Sequence, residues 1–274
     1  MSGTILSVLR ILLSGRALSS VALGLLVAGP LAGQFGILEA VTKALPWTLL
    51  ALGGFELNDW FDADKDRLIH STRIIPAGRA SSGIVLAVAA LSILMAVVSG
   101  LQLNTTSSEV LIFLGATVGI LFYSNFAIKF APFKIFYAAF LCTLPLMFVL
   151  AVRHYPPVYW WTCVASFLFF CGRELLMDVR DVDGDLAGGM ATLPSRLGSS
   201  ASVNIAFGLI GVGLISIVPA ALAKGSILFA IGFGASAVVV FVAASIWRVS
   251  SLREQRWIVV GMWIPMVIGA SVLI

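Results

Sequence analysis

The chain has 274 residues, 60% of them hydrophobic and 11% charged, with a mean hydropathy of +1.06. That balance excludes an ordinary soluble domain, because lipid must be the solvent for most of such a surface. The formal net charge of +4 points to no nucleic-acid partner, and the three cysteines, Cys142, Cys163 and Cys171, lie inside apolar runs with neither the number nor the spacing of a disulfide framework or zinc site.

Residues 1–16 carry Arg10 and Arg16 around a short apolar stretch with no cleavage site behind it, which predicts a retained interfacial helix. Nine apolar runs follow, at Ala17 to Phe35, Leu45 to Phe61, Gly83 to Leu103, Val110 to Ile128, Ile135 to Val152, Val158 to Met177, Val203 to Ala223, Ile227 to Trp247 and Trp257 to Ile274. Each is near the roughly 20 residues that cross a hydrocarbon core. The expectation is an all-α, polytopic membrane protein of nine transmembrane helices, forming a single domain over residues 1–274.

Lys and Arg concentrate on the cytoplasmic side of membrane proteins. With the N-terminus inside, fourteen of the seventeen basic residues fall in inner segments, and only Lys43, Arg153 and Lys224 fall outside. The C-terminus is then expected on the opposite face. Trp47, Trp160, Trp161, Trp247 and Trp257 stand near predicted span ends, where an indole anchors at headgroup level. The second and sixth spans each end in an acidic cluster on the inner side, which suggests that the first four helices and the next four form a pseudo-repeat.

Ten of the thirteen acidic residues lie in those two clusters: Glu56, Asp59, Asp62, Asp64 and Asp66, then Glu174, Asp178, Asp181, Asp183 and Asp185. Carboxylates at the mouth of a membrane helix are costly unless solvated, paired or bound to cations. On a helix, Asn58, Asp62 and Asp66 lie within about 80° of one another, and Glu174, Asp178, Asp181 and Asp185 within about 60°, with Asp183 on the far side. Such stacked like charges repel, and a divalent cation removes the repulsion. Solvated helix ends would explain either cluster alone, but explain two of the same facial geometry poorly. Oxygen ligands without His or Cys suit a hard cation, and Mg²⁺ completes its octahedron with water and phosphate oxygens. Two facing ridges therefore suggest a metal-bridged diphosphate. Arg67, Arg73, Arg79, Lys129, Lys134, Arg173 and Arg180 stand nearby as possible phosphate clamps.

At these residues the sequence resembles the UbiA superfamily of intramembrane prenyltransferases. Asn58-Asp-Trp-Phe-Asp-Ala-Asp-Lys-Asp66 is similar to that family's NDxxDxxxD motif, and Arg73-Ile-Ile-Pro-Ala-Gly-Arg79 to the segment that follows it, with Ile74 where the family often has Pro. Gly172 to Asp185, continuing through Gly189 to Gly198, resembles the second motif, and Tyr123 with Lys129 resembles a YxxxxK-type segment. The Gly184-Asp185 pair looks more like the homogentisate, chlorophyll-precursor and archaeal ether-lipid branches than the ubiquinone branch.

The resemblance implies a nine-helix bundle with a central cavity, capped by the loops after helices two and six. It further implies Mg²⁺-dependent ionisation of an allylic prenyl diphosphate and transfer of the chain to an aromatic, small or lipid acceptor. Asp62, Asp66, Asp178, Asp181 and Asp185 would be catalytic. Asn58, Asp62 and Asp66 would serve one metal, and Asp178, Asp181 and Asp185 the other. Asn58, Arg67, Arg73, Tyr123, Lys129 and Arg180 would contact the diphosphate, and Glu174 or Asp178 would accept the proton. A terpene cyclase could use the same site without an acceptor. A cation transporter fits less well, since its carboxylates belong near the bilayer midplane.

Overall fold

The computed structural model describes residues 3–251 except 14, 70, 105 and 226, together with 254, 255, 258 and 261. Among the described residues the chain is helical, without a strand. A short helix α1 (Gly3–Leu12) leads into α2 (Gly15–Phe35), α3 (Ile37–Phe61), the short α4 (Ala63–Ile69), α5 (Ser82–Leu103) and α6 (Ser107–Lys129). Then come α7 (Lys134–Val152), α8 (Trp161–Arg180), the short α9 (Val182–Ala187) and α10 (Leu193–Leu197), α11 (Ser199–Ser216), α12 (Val218–Lys224) and α13 (Ile227–Trp247).

Four stretches, Arg16–Phe35, Ser82–Leu103, Ala131–Val152 and Ser199–Lys224, are long and apolar enough to cross a membrane. The helices α3 and α8 have the length but carry Glu56, Asp59, Arg173, Glu174 and Asp178, which lower their hydropathy. The first eight predicted runs coincide with helices, and the ninth, Trp257 to Ile274, lies almost wholly outside the described residues. Three expectations need correction. The second run begins at Ile37 rather than Leu45, with Pro46 inside the helix. The seventh breaks at Ile217, because Pro219 lacks the amide that would continue α11 and instead sits in the first turn of α12. Trp47 and Trp247 are core residues rather than interfacial anchors, 3% and 2% exposed. Trp47 packs edge-on against Phe113, with ring centroids 5.4 Å apart.

The two acidic helix ends repeat one another in the backbone. Each acidic helix ends one residue before an aspartate, and a short helix begins one residue after it: Asp62 joins α3 to α4, and Asp181 joins α8 to α9. Both residues sit in the bridge region, at φ −84° and ψ 0° for Asp62 and φ −100° and ψ 8° for Asp181. The hydrogen-bond ladder nonetheless runs through both bends. Asp62 N–H donates to Asn58 O and Asp66 N–H to Asp62 O, at 2.9 and 2.8 Å. The matching bonds from Asp181 to Met177 and from Asp185 to Asp181 are 3.0 and 2.9 Å.

The packing repeats as well. Gly53 precedes Asp62, and Gly172 precedes Asp181, by the same nine residues. A Cβ on Gly53 would lie 2.9 Å from the Ala89 carbonyl oxygen of α5, and one on Gly172 2.5 Å from the Ala206 carbonyl oxygen of α11. Glycine thus lets each acidic helix press directly on the backbone of the helix that follows its cap. The helix before each acidic helix also packs against it, α2 against α3 and α7 against α8, and α2 meets α7.

Candidate active site

Antiparallel neighbours place the start of one span level with the end of the next. Arg16 at the start of α2 therefore reaches Asp59 near the end of α3, at 2.5 Å. By the same geometry Lys134 at the start of α7 reaches Asp178 near the end of α8, at 2.8 Å.

The two clusters also share one spacing: Asp59, Asp62, Asp64 and Asp66 match Asp178, Asp181, Asp183 and Asp185 position by position. The first and last of each set turn inward, with Asp59 6% and Asp66 1% exposed, and Asp178 5% and Asp185 1%. Asp64 and Asp183 turn outward. In each half one cation spans the buried pair. Arg73 lies 2.7 Å from Asp66 and 3.6 Å from Asp59, and Lys134 lies 2.8 Å from Asp178 and 3.4 Å from Asp185. Lys65, on α4, crosses between the halves to Asp185 at 2.5 Å.

Asn58 and Asp62 of the first ridge and Glu174, Asp178, Asp181 and Asp185 of the second face one cavity, whose empty volume including its open mouth is about 1390 Å³. Its polar end holds Asn58, Asp62, Arg73, Tyr123, Asp178, Asp181 and Asp185, all expected from the sequence. Asn58 donates to the Asp62 carboxylate at 3.0 Å. Asp66 stands behind this wall, buried and held by Arg73. Arg180 makes a two-pronged pair with the neighbouring Asp181 at 2.6 and 2.7 Å rather than lining the cavity. Arg67 points outward and pairs with the exposed Asp64. The Lys129 side chain lies outside the described residues. The cavity continues into an apolar part walled by Leu23, Ala51, Phe55, Ile120, Ala138 and Leu141. Arg173 and Glu174, paired at 2.5 Å, stand about a turn below Asp178 along α8.

Arg16 and Lys65 are missing from the residues expected at the site, and Lys134 was expected only as one basic residue among several. The signal for Arg16 and Lys134 was the level-matching of antiparallel spans. Lys65 had no comparable signal, because only the meeting of α4 with α9 brings it to Asp185.

Among the described residues three buried carboxylate oxygens, Glu56 Oε2, Asp66 Oδ1 and Asp178 Oδ2, have no hydrogen-bond partner. Burial pushes the Asp66 carboxyl above its usual range by more than Arg73 pulls it back. Among the described residues no three carboxylates, histidines or cysteines converge into a ready-made metal cage. The donors the cavity does offer beside its cations are oxygens, from Asn58, Asp62, Asp178, Asp181 and Asp185, and oxygen donors suit a hard cation such as Mg²⁺.

The UbiA prenyltransferase family matches this chain over residues 17–266. The chain belongs to that family. This UbiA member is 29% identical over 192 residues to digeranylgeranylglyceryl phosphate synthase of Methanopyrus kandleri, covering 68% of each chain. It is 31% identical over 148 residues to 4-hydroxybenzoate octaprenyltransferase of Cupriavidus necator, covering 53% of this chain and 51% of that one. In fold, this UbiA prenyltransferase is similar to a UbiA homologue from Aeropyrum pernix K1, with a TM-score of 0.78 at 18% identity over 95% of this chain and 98% of that one. It is similar also to a UbiA homologue from Archaeoglobus fulgidus bound to GPP and Mg²⁺, with a TM-score of 0.62 at 16% identity over 92% and 98%. The chain is an integral membrane prenyltransferase of the UbiA type.

Proposed function

We propose that the chain transfers the prenyl group of an allylic prenyl diphosphate, in the presence of Mg²⁺, to an acceptor bound in the same cavity, with the N-terminus and the acidic cap in the cytoplasm. The observation that carries this reading is that Asn58 and Asp62 from one acidic helix end and Asp178, Asp181 and Asp185 from the other meet at one cavity that also has an apolar part. Bound Mg²⁺ would neutralise charge that develops on the departing diphosphate. Asn58, Asp62 and Asp66 would hold one ion, and Asp178, Asp181 and Asp185 the other. Arg73 and Lys134 hold the buried aspartates while the site is empty, and turn to phosphate oxygens when it fills.

The apolar walls, Leu23, Phe55, Ile120 and Leu141 among them, would take the prenyl tail and keep water from the allylic carbon. Glu174 lines the same cavity one turn before Asp178 on α8 and is our candidate for the acceptor's proton. The relatives named above act, by their names, toward a prenylated glyceryl phosphate and on 4-hydroxybenzoate. Both carry an anionic group, which Arg173 at the cavity wall is placed to meet.

Purified protein incubated with geranylgeranyl diphosphate, Mg²⁺ and either a monoprenylated glyceryl phosphate or 4-hydroxybenzoate tests the reading. A prenylated product with one acceptor is expected, and EDTA should abolish it. A hydrocarbon formed with no acceptor present would establish the cyclase instead. A prenyl thiodiphosphate analogue that raises the melting temperature equally with Mg²⁺ and with EDTA would show that the ridges do not bind metal.

A further inference from the structure

The two aspartate sets match position by position, but the residue between the third and fourth aspartate does not: the first half has Lys65 where the second has Gly184. Lys65 lines the cavity, its side chain 20% exposed, and its ammonium lies 2.5 Å from Asp185, whose side chain is 1% exposed. The lysine stem runs past Gly188 at the end of α9, where even a Cβ would find the Lys65 Cγ at 3.5 Å. Asp185 therefore carries two cations, Lys65 at 2.5 Å and Lys134 at 3.4 Å, whereas Lys134 also serves Asp178. A carboxylate cannot hold two lysines and a divalent ion together without heavy repulsion, since opposite charges bind and like charges crowd at these separations.

We infer that Lys65 is a transferable counter-ion: it occupies Asp185 and latches α4 to α9 while metal is absent, then yields Asp185 to the ion and moves onto the diphosphate. This rests on the metal and diphosphate site proposed above. The move needs no backbone displacement, because a lysine has four rotatable side-chain bonds and this one already borders the cavity. Lys65 thereby couples the two ligands. Before diphosphate arrives its charge competes with the metal, and afterwards it adds to the phosphate contacts.

The test is to measure, on the purified full-length chain, Mn²⁺ binding without diphosphate by the loss of the free-ion resonance signal, and prenyl thiodiphosphate binding at saturating Mn²⁺ by thermal shift. A nearby opposite charge changes a carboxylate's affinity for a competing cation by about tenfold or more. Lys65→Met should therefore bind Mn²⁺ about tenfold tighter or better than the wild type. It should bind the thiodiphosphate about tenfold weaker, the loss expected for one charged hydrogen bond. Lys65→Arg, which keeps the charge, should leave Mn²⁺ binding at the wild-type level.

A brace that merely holds α4 to α9 would weaken both ligands or neither, and either result in Lys65→Met overturns the inference. So does tighter Mn²⁺ binding with undiminished thiodiphosphate binding. If Lys65→Met does not fold, Lys65→Gln carries the same two measurements, and failure of both variants to fold shows a structural brace and also overturns it. A wild-type chain that binds no Mn²⁺ at all would instead refute the metal site on which the inference rests.

Discussion

Replacing Lys134 by Met separates a buried ion network from an exposed one in a single measurement. The Lys134 side chain is 14% exposed, and those of its partners Asp178 and Asp185 are 7% and 1% exposed. Breaking a buried pair by removing one partner costs about 3–5 kcal/mol, because the surviving charges stay desolvated and unpaired. Lys65 still reaches Asp185 in the variant, so Asp178 bears most of the loss, and the low end, about 3 kcal/mol, is the appropriate figure. At roughly 2–4 °C per kcal/mol for a chain of this size, the melting temperature in EDTA should fall by about 6–12 °C. Arg67→Met is the control, since Arg67 and Asp64 are 58% and 93% exposed and such pairs are worth about 0–1 kcal/mol. Mg²⁺ should return part of the lost stability to Lys134→Met, because the aspartates left behind are the ones assigned to the metal. Thermal unfolding followed by tryptophan fluorescence in detergent, with EDTA and with Mg²⁺, reads all of this. Equal shifts for the two variants, or no greater Mg²⁺ response in Lys134→Met than in wild type, would refute the account of the buried network.

Asp62→Ala and Asp185→Ala should each abolish turnover while the protein remains folded and membrane-inserted, and Asp183→Ala should keep most activity because its side chain turns outward; steady-state assays on size-exclusion-purified variants check this. Gly53→Ala and Gly172→Ala should each lower stability by about 1–3 kcal/mol, since the added methyl meets helix backbone that cannot rotate away; unaltered melting temperatures would mean that the helices can separate freely. Single cysteines placed at Arg73 and Arg196 should react with impermeant reagent only from the cytoplasmic side, and one at the exposed Ser108 only from the other; labelling of Ser108→Cys from the cytoplasm would overturn the proposed sidedness.

Much of this fold is legible in the chain because lipid imposes a simple rule: a run of about 20 apolar residues has one stable conformation, and eight of the runs became helices. The ridges are legible in part for a related reason, since helical periodicity carries Asn58 and Asp62 to the cavity, whereas Asp66, beyond the bend, turns behind the wall to Arg73. What escapes is whatever depends on helices meeting. A tryptophan near a span end reads the same whether it faces headgroups or, like Trp47, packs edge-on against Phe113 in the core. Likewise the basic residues near the ridges were indistinguishable by type, and only the packing sends Arg67 outward to Asp64 while Lys65, two residues earlier, turns inward to Asp185. Arg16 belonged on paper to the N-terminal segment, and its place beside Asp59 follows from the pairing of α2 with α3.

The like-spaced halves raise a question of direction. A diphosphate is nearly the same from either side, and two equivalent aspartate sets would hold it equally well in two opposed poses, only one of which aims the prenyl carbon at the acceptor. The choice falls to the cavity-lining positions where the halves disagree. Four residues before each bend stand Asn58 and Met177, and seven residues before it Phe55 and Glu174. At each level one half offers a polar group and the other an apolar one, and the polar side alternates between halves with depth. If the two halves are the grip proposed above, these mismatched pairs give the cavity a handedness that a symmetric clamp would lack.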